Sequence, residues 1–283
     1  MLTVLIIAHE EEEKLSRNLP ILLSQQGTEY EVVVVDMNSE DNTIEMLKSL
    51  ETTNKHLRHI LLPQSAKDIS RERLAVHLGL RTANTTRVLI TRAGIEIDNP
   101  KWLYEIEKRW RTDSDIILIP TKRKRDKSFN NFFSLKHETW RKKMDFKHAN
   151  KYNLFRATSN IVGLNKDRFL KHNSPFEHLA LKTGTLDIFI SHVATQYNTT
   201  LIREEELFPL EEQFNTPQQW AQMRLFDVET RKHLPEQFKR RLAYLWYCLC
   251  SIHRGSIIYS MIDAYDYLRW KLTQRKTFIK KRY

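Results

Sequence analysis

Asp36, Thr91 and Arg92 are the residues through which this sequence is best equipped to hold or transform a polar ligand. Each closes a run of β-branched and aliphatic residues: Asp36 ends Tyr30-Glu-Val-Val-Val-Val, and Thr91-Arg92 end Arg87-Val-Leu-Ile. A carboxylate in such a place accepts hydrogen bonds, and an arginine offers a planar, permanently charged set of donors to anionic oxygens. Further polar candidates lie around them. His9 and Glu11 follow the opening run Leu2 to Ala8, and Asp41 sits in the turn Ser39-Glu-Asp-Asn-Thr43. Arg71 and Arg73, Glu96 and Asp98, and Asp187 with Glu177 and His192 complete the set. Each also has a plainer reading. Asp36 suits a turn or helix cap, Glu11 and Asp41 suit helix starts, and Arg71 and Arg73 suit an exposed helix surface.

Several other chemistries are excluded. Glycine numbers only six, with no G-x-x-x-x-G-K and no G-x-G-x-x-G, so P-loop and dinucleotide-binding loops are absent. The two cysteines, Cys248 and Cys250, stand two apart in an apolar run, a spacing that suits neither a structural disulfide nor a zinc site. They are expected as buried thiols. With strand-forming residues directly after Met1 instead of a leader pattern, the expected compartment is a reducing cytosol. The net charge of +11 and pI near 9.5 favour anionic partners: nucleic acid, anionic lipid or phosphorylated substrates.

The elements that must position these residues alternate. Strands are expected at Leu2–Ala8, Tyr30–Val35, His59–Leu62, Arg87–Thr91 and Asp115–Pro120. Their near-continuous apolar character marks strands buried on both faces, as in a parallel sheet. Helices are expected after Glu10–Glu13, behind Ser39–Thr43, from Ser70 to Thr82, around Trp102–Trp110, from Thr185 to Thr195 and from Gln213 onward. Such alternation implies an α/β fold, Rossmann-like and doubly wound around a mostly parallel sheet, with its ligand beyond the carboxyl ends of the strands. Residues 121–160 are basic, aromatic-rich and without clear periodicity, and are expected as a long, mobile insertion over the sheet. The expected division is an α/β domain over 1–205 and a helical, basic C-terminal extension over 206–283. Leu242 to Ile252 is apolar but falls short of the roughly 20 residues that span a bilayer.

The order of these segments resembles the family 2 glycosyltransferases, whose fold is called GT-A. Val35-Asp36-Met-Asn-Ser39-Glu-Asp41-Asn-Thr43 is similar to the family's strand end D-D-G-S-x-D-x-T, and Val4 to Leu15 resembles its I-P-x-Y-N-E-x-x-x-L opening. Ala75 to Ala83 resembles A-R-N-x-G-x-x-x-A, keeping Ala75, Gly79 and Ala83. Pro100-Lys-Trp102-Leu103 matches P-x-W-L, and Asp187-Ile through Gln196-Tyr197 resembles the helix that follows the acidic E-D-x-D motif. The resemblance covers about residues 2–200.

It implies a transferase that moves a sugar from a nucleotide diphosphate sugar, a uridine one, to a glycan or lipid-linked acceptor with inversion. Asp36 would then accept from the base, Ala8 and His9 would pack against it, and Glu11, Asp41 and Arg73 would complete the nucleotide site. Where the family places its D-x-D, whose carboxylates hold a divalent cation such as Mn or Mg, this chain reads Arg92-Ala93-Gly94. Arg92 would meet the pyrophosphate in the metal's place, or Glu96 and Asp98 would take over the metal. The later acidic motif reads Gly184-Thr185-Leu186-Asp187, which leaves Asp187 as the expected base. Two other readings stand beside this one. The first is a GT-A domain that has lost catalysis and binds sugar nucleotide or a partner protein. The second is a basic nucleic-acid-binding protein, suggested by Lys122–Lys151 with its interleaved aromatics; no recognised nucleic-acid module accompanies that stretch. The tail from Tyr265 to Tyr283, aromatic and basic by turns, suits an interfacial helix on anionic lipid at the inner face of a membrane, or an amphipathic helix packed on its own domain.

Overall fold

The computed structural model describes residues 1–62, 70–123, 129–157, 160–171, 185–211, 217–235, 238–240, 242–243, 246, 258–259, 261–269 and 272. Glu177, Gly184, Cys248, Cys250 and the tail beyond 272 lie outside the described residues. The chain forms two compact units, one of residues 1–124, 157–189 and 194–212, the other of residues 125–156, 190–193 and 213–283.

The first unit is built on a seven-stranded sheet in the order β3-β2-β1-β4-β8-β6-β9. Its strands are β1 (Leu2–Ala8), β2 (Tyr30–Asp36), β3 (Leu57–Leu61), β4 (Arg87–Arg92), β6 (Ile116–Pro120), β8 (Asn160–Asn165) and β9 (Thr199–Leu201). All pairings are parallel except those of β8, which runs antiparallel to both β4 and β6. The expected doubly wound, mostly parallel α/β architecture is therefore present. Helices α1 (Glu12–Leu23), α2 (Thr43–Thr53), α3 (Arg71–Thr82) and α4 (Trp102–Arg109) connect the strands. A second, three-stranded sheet joins β5 (Ile95–Glu96), β10 (Leu210–Glu211) and β7 (Lys122–Arg123). β10 lies beyond the expected boundary at 205, yet it belongs to the first unit.

Burial explains the apolar runs. Every residue of β2 is buried, as are Val4 and Leu5 on β1 and Leu89 on β4. Two polar residues at the amino ends of the strands are buried with them and satisfy each other. The Thr3 hydroxyl donates to Glu31 Oε1 at 2.6 Å, and Glu31 also accepts the Asn84 N–H at 2.6 Å and Arg58 Nη2 at 3.0 Å. This clasp joins β1, β2, β3 and the turn between α3 and β4, and it closes one end of the sheet.

Two glycines set close approaches. A Cβ at Gly79 would stand 2.3 Å from Leu5 Cδ1, so α3 lies almost directly on β1. A Cβ at Gly163 in β8 would meet Ile117 Cγ2 at 2.3 Å and the Trp110 ring at 2.6 Å.

The second unit differs from expectation. Residues expected as an irregular insertion contain α5 (Phe129–Tyr152), a helix of 24 residues. Periodicity hid it because its inward positions mix polar with apolar side chains: His137, Glu138, Arg141 and His148 are buried alongside Trp140, Met144 and Ala149. Those charges find partners. Asp227 on α8 (Pro217–Lys232) takes Arg141, Arg156 Nη2 at 2.6 Å and Arg231 Nε at 2.8 Å. Asp263 meets His137 Nε2 at 2.9 Å, and Asp266 meets Arg224 Nε at 2.5 Å. No helix among the described residues is long and apolar enough to cross a membrane.

Two outcomes follow. Gly79→Val should lower stability by about 2 kcal/mol, the scale of overpacking a tight core, read as a drop in the thermal midpoint. Burial pushes the Asp263 carboxyl up, but Arg141 and His137 outweigh it and bring it from 3.8 to about 2. A depressed carboxylate contributes stability that is complete above the unfolded value and is lost as pH falls towards the folded one. Urea unfolding should therefore give stability lower by about 1 kcal/mol at pH 3 than at pH 5 from this group, out of about 2 kcal/mol in all.

Candidate functional site

The carboxyl ends of β1, β2 and β4 lie side by side. The registers Ala8↔Asp36 and Ile7↔Arg92 bring the three expected strand ends into one row. The loops after β1 and β2 both use left-handed residues, Glu10 at φ 53° and Asn38 at φ 60°, which aim the following residues back towards each other. They are tied directly. The Glu10 N–H donates to Ser39 Oγ at 2.8 Å, the Ser39 hydroxyl donates to Asp36 Oδ1, and the Ser39 N–H donates to Asp36 Oδ2 at 3.0 Å. The Met37 N–H reaches the Ala8 carbonyl at 2.8 Å.

Asp36 is only 1% exposed, and both its oxygens serve its own loop. The turn-closing role weighed from the sequence is thus realised. Asp41 does similar work one turn on: it accepts the Glu12 N–H at 3.2 Å and the Thr43 N–H at 3.1 Å, joining the starts of α1 and α2. Burial pushes its carboxyl up, but the donors from Thr43 and Glu12 outweigh that and hold it below the ordinary value. His9 is exposed beside this knot, and Glu11 pairs with Lys14 at 2.8 Å. Arg71 donates to the Met37 carbonyl, tying the start of α3 to the β2 loop.

Arg92 leaves the end of β4 with 67% of its side chain open to solvent, and its Nη1 donates to Glu211 Oε1 at 3.1 Å. Glu211, on β10, also accepts the Thr121 hydroxyl at 2.9 Å and lies 3.8 Å from Arg123. Thr91 turns the other way, its hydroxyl buried in a small cavity lined by Ile6, Leu15, Asn18 and Ala93. Arg73, for which an exposed helix surface was the plainer expectation, is instead 3% exposed, and burial pulls its guanidinium down against the opposing effect of Glu72.

Glu72 is the residue that sequence reasoning passed over. Its side chain is open to water, yet protein crowds it. Burial pushes its carboxyl above the ordinary value, Arg92 and Arg73 pull it down, and Asp187 pushes it up. Arg92, Arg73 and Asp187 therefore all act on the charge of Glu72. The only signal for Glu72 in the sequence was a third charge between Arg71 and Arg73. Asp187 stands in the first turn of α7 (Thr185–Val193), 7% exposed, and accepts the Ala157 N–H at 2.7 Å.

Against known proteins, the profile described as Glycosyl transferase family 2 matches residues 3–169, more than half of the chain. The chain belongs to glycosyl transferase family 2. Among curated proteins none matches it in sequence. Of solved structures, S. aureus TarS 1–349 in complex with UDP superposes with a TM-score of 0.54 at 16% identity, over 90% of this chain and 73% of that one. The same protein in complex with UDP-GlcNAc gives 0.53 at 16% identity, over 90% and 74%. The mannosyltransferase PcManGT from Pyrobaculum calidifontis, in complex with GDP-Man and Mn2+, gives 0.52 at 15% identity, over 93% and 78%. The fold of this family 2 glycosyltransferase is accordingly GT-A.

The residues at the place of a family cation do not fit one. Arg92, the residue that the sequence resemblance puts at that position, would repel a cation. Asp98 is exposed, Glu96 is half-buried in β5, and no group of three potential ligands occurs among the described residues. Hard divalent cations require several oxygen ligands together.

Ser39→Ala should remove one of the links between the two strand-end loops and strip Asp36 of one donor. Urea denaturation should show a loss of about 1–3 kcal/mol, the range for a buried polar partner left unmatched.

Proposed function

We propose that this chain is an active glycosyltransferase that takes a uridine diphosphate sugar and transfers the sugar, with inversion, to a hydroxyl of a glycan or lipid-linked acceptor in the cytosol. The observation that carries this reading is Arg92. It is a largely exposed guanidinium at the end of β4, steadied by Glu211, where the family's diphosphate would lie. TarS bound to UDP and UDP-GlcNAc supports the choice of a uridine nucleotide.

The chemistry needs three things: a grip on the nucleotide, a counter-charge for the departing diphosphate, and a base for the acceptor. Asp36, on the knotted loops, would accept from a base ring N–H through its remaining lone pairs, with His9 and Ala8 beside the ring. Arg92 would supply planar donors to the diphosphate oxygens as negative charge grows on the leaving group, a stabilisation that counts most in the transition state. No step is assigned to a metal, because the donor set does not fit one. For the base, Asp187 is the carboxylate expected from the motif, but it is buried and one oxygen already takes the Ala157 N–H. Glu72 is the accessible alternative, and burial holds its carboxyl above the ordinary value, which makes it a stronger base than an ordinary glutamate.

Calorimetric titration with uridine diphosphate, with and without manganese, tests the nucleotide assignment. Binding that ignores manganese and weakens at least tenfold in Arg92→Ala is the expected result. Asp36→Asn keeps an acceptor for Ser39 but offers a donor to the base, and should weaken binding similarly. Absence of binding by the folded wild-type chain would leave the non-catalytic reading, in which the fold serves a protein partner. For turnover, whichever of Glu72→Gln and Asp187→Asn removes the base should cost about 10²–10⁴-fold in rate with binding intact. If Glu72 is the base, activity should fall on acidification at a higher pH than an ordinary glutamate would dictate, because only its ionised form accepts the proton.

A further inference from the structure

The described helical residues 258–259, 261–269 and 272 carry their polarity inside out. Tyr259, Asp263 and Asp266, at i, i+4 and i+7, face the second unit. Tyr259 packs 5.8 Å from the His137 ring and 5.7 Å from Trp140, while Asp263 and Asp266 make the ion pairs to His137 and Arg224. On the opposite side Ile258, Met261, Tyr265, Leu268 and Leu272 recur at i, i+3, i+7, i+10 and i+14, and they are between 54% and 66% exposed. A helix that merely covers a globular core does the reverse, burying its apolar stripe and wetting its charges. A second described stretch repeats the pattern. Phe238, Leu242 and Trp246, at i, i+4 and i+8, are exposed, whereas Ala243 is buried and its carbonyl meets His148 Nε2 at 3.2 Å. Both stretches are thus fastened to α5 by polar contacts, and both turn aliphatic and aromatic side chains outward.

We propose that this outward face lies on an anionic lipid bilayer, seating the apolar side chains at the acyl boundary and Trp246, Tyr265 and Tyr267 at headgroup level. Charge selects this occupant. Every charged residue after Asp266 is basic: Arg269, Lys271, Arg275, Lys276, Lys280, Lys281 and Arg282. An apolar helical face bordered by aromatic and basic residues is the pattern of an interfacial helix, and basic residues near an anionic surface add to its hold. A second copy of the chain suits the face less well. Two such basic tails would be brought together, each on a chain of net charge +11. The surface belongs to the second unit and the nucleotide residues to the first, so the proposal does not rest on glycosyl transfer.

Flotation of the full-length chain with vesicles of phosphatidylglycerol and phosphatidylcholine, or of phosphatidylcholine alone, tests it. The comparison variant is Met261→Glu with Leu268→Glu, both outward-facing, with folding checked by circular dichroism and thermal midpoint. The wild type should float with the anionic vesicles at least tenfold more than with the neutral ones, and the folded double variant should lose most of that binding. Failure of the folded wild type to float with anionic vesicles would overturn the proposal. So would equal flotation of the double variant, which would assign binding to tail charge alone. A concentration-dependent dimer abolished by the same substitutions, without vesicle binding, would make a second copy the occupant instead.

Discussion

The first unit depends on burying β1 and β2 on both faces. A parallel strand so enclosed must be apolar along its length, and it can bear polar side chains only where it ends. The near approach of α3 to β1, which Gly79 permits by having no side chain, is what closes one face over Leu5. Polar chemistry is thereby sorted to the two ends of the sheet. At the amino end Glu31 consumes its hydrogen-bonding capacity on Thr3, Asn84 and Arg58, and that end is purely structural. At the carboxyl end the same sheet geometry lines up Ala8, Asp36 and Arg92, and there some of the polar capacity faces solvent.

The second unit solves the packing problem differently. Its interior holds Asp227 among three arginines, with two further carboxylates paired to His137 and Arg224. Breaking one member of such a set strands the others without water or partner, so the cost of a single loss exceeds the worth of the pair itself. The arrangement constrains geometry tightly, because guanidinium and carboxylate groups must meet edge to edge. Several apolar residues of this unit, Met261 and Leu268 among them, lie on its surface instead.

How far the sequence revealed all this follows from the same physics. The strands and helices of the first unit were legible because their burial is apolar and therefore periodic. β8 was less so, since Gly163 and the flanking asparagines dilute its pattern. α5 was invisible to periodicity because His137, Arg141 and His148 occupy the positions that aliphatic side chains normally mark. At the site, the strand-end positions of Asp36 and Arg92 were readable from where apolar runs stop. Their partners were not. Ser39 looked like a turn residue, and Glu211 is brought to Arg92 only by the pairing of β10 with β5. Arg73 was misjudged as exposed because a helix start does not disclose which of two neighbouring arginines points inward. Glu72, between them, is perturbed first by burial and then by Arg92 and by residues such as Asp187 far along the chain.

The distance in sequence between Arg92 and Glu211 has a consequence for how the protein is made. Synthesis proceeds from the amino end, so β1, β2 and β4 can leave the ribosome and pair while most of the chain is still unwritten. Through that interval Arg92 stands without its carboxylate, and β5 and β7 have no strand to hold them. The arrival of Leu210–Glu211 closes the small sheet and fixes the guanidinium in one step. A nascent chain can therefore possess the paired strands β1, β2 and β4 before it possesses the Arg92–Glu211 pair.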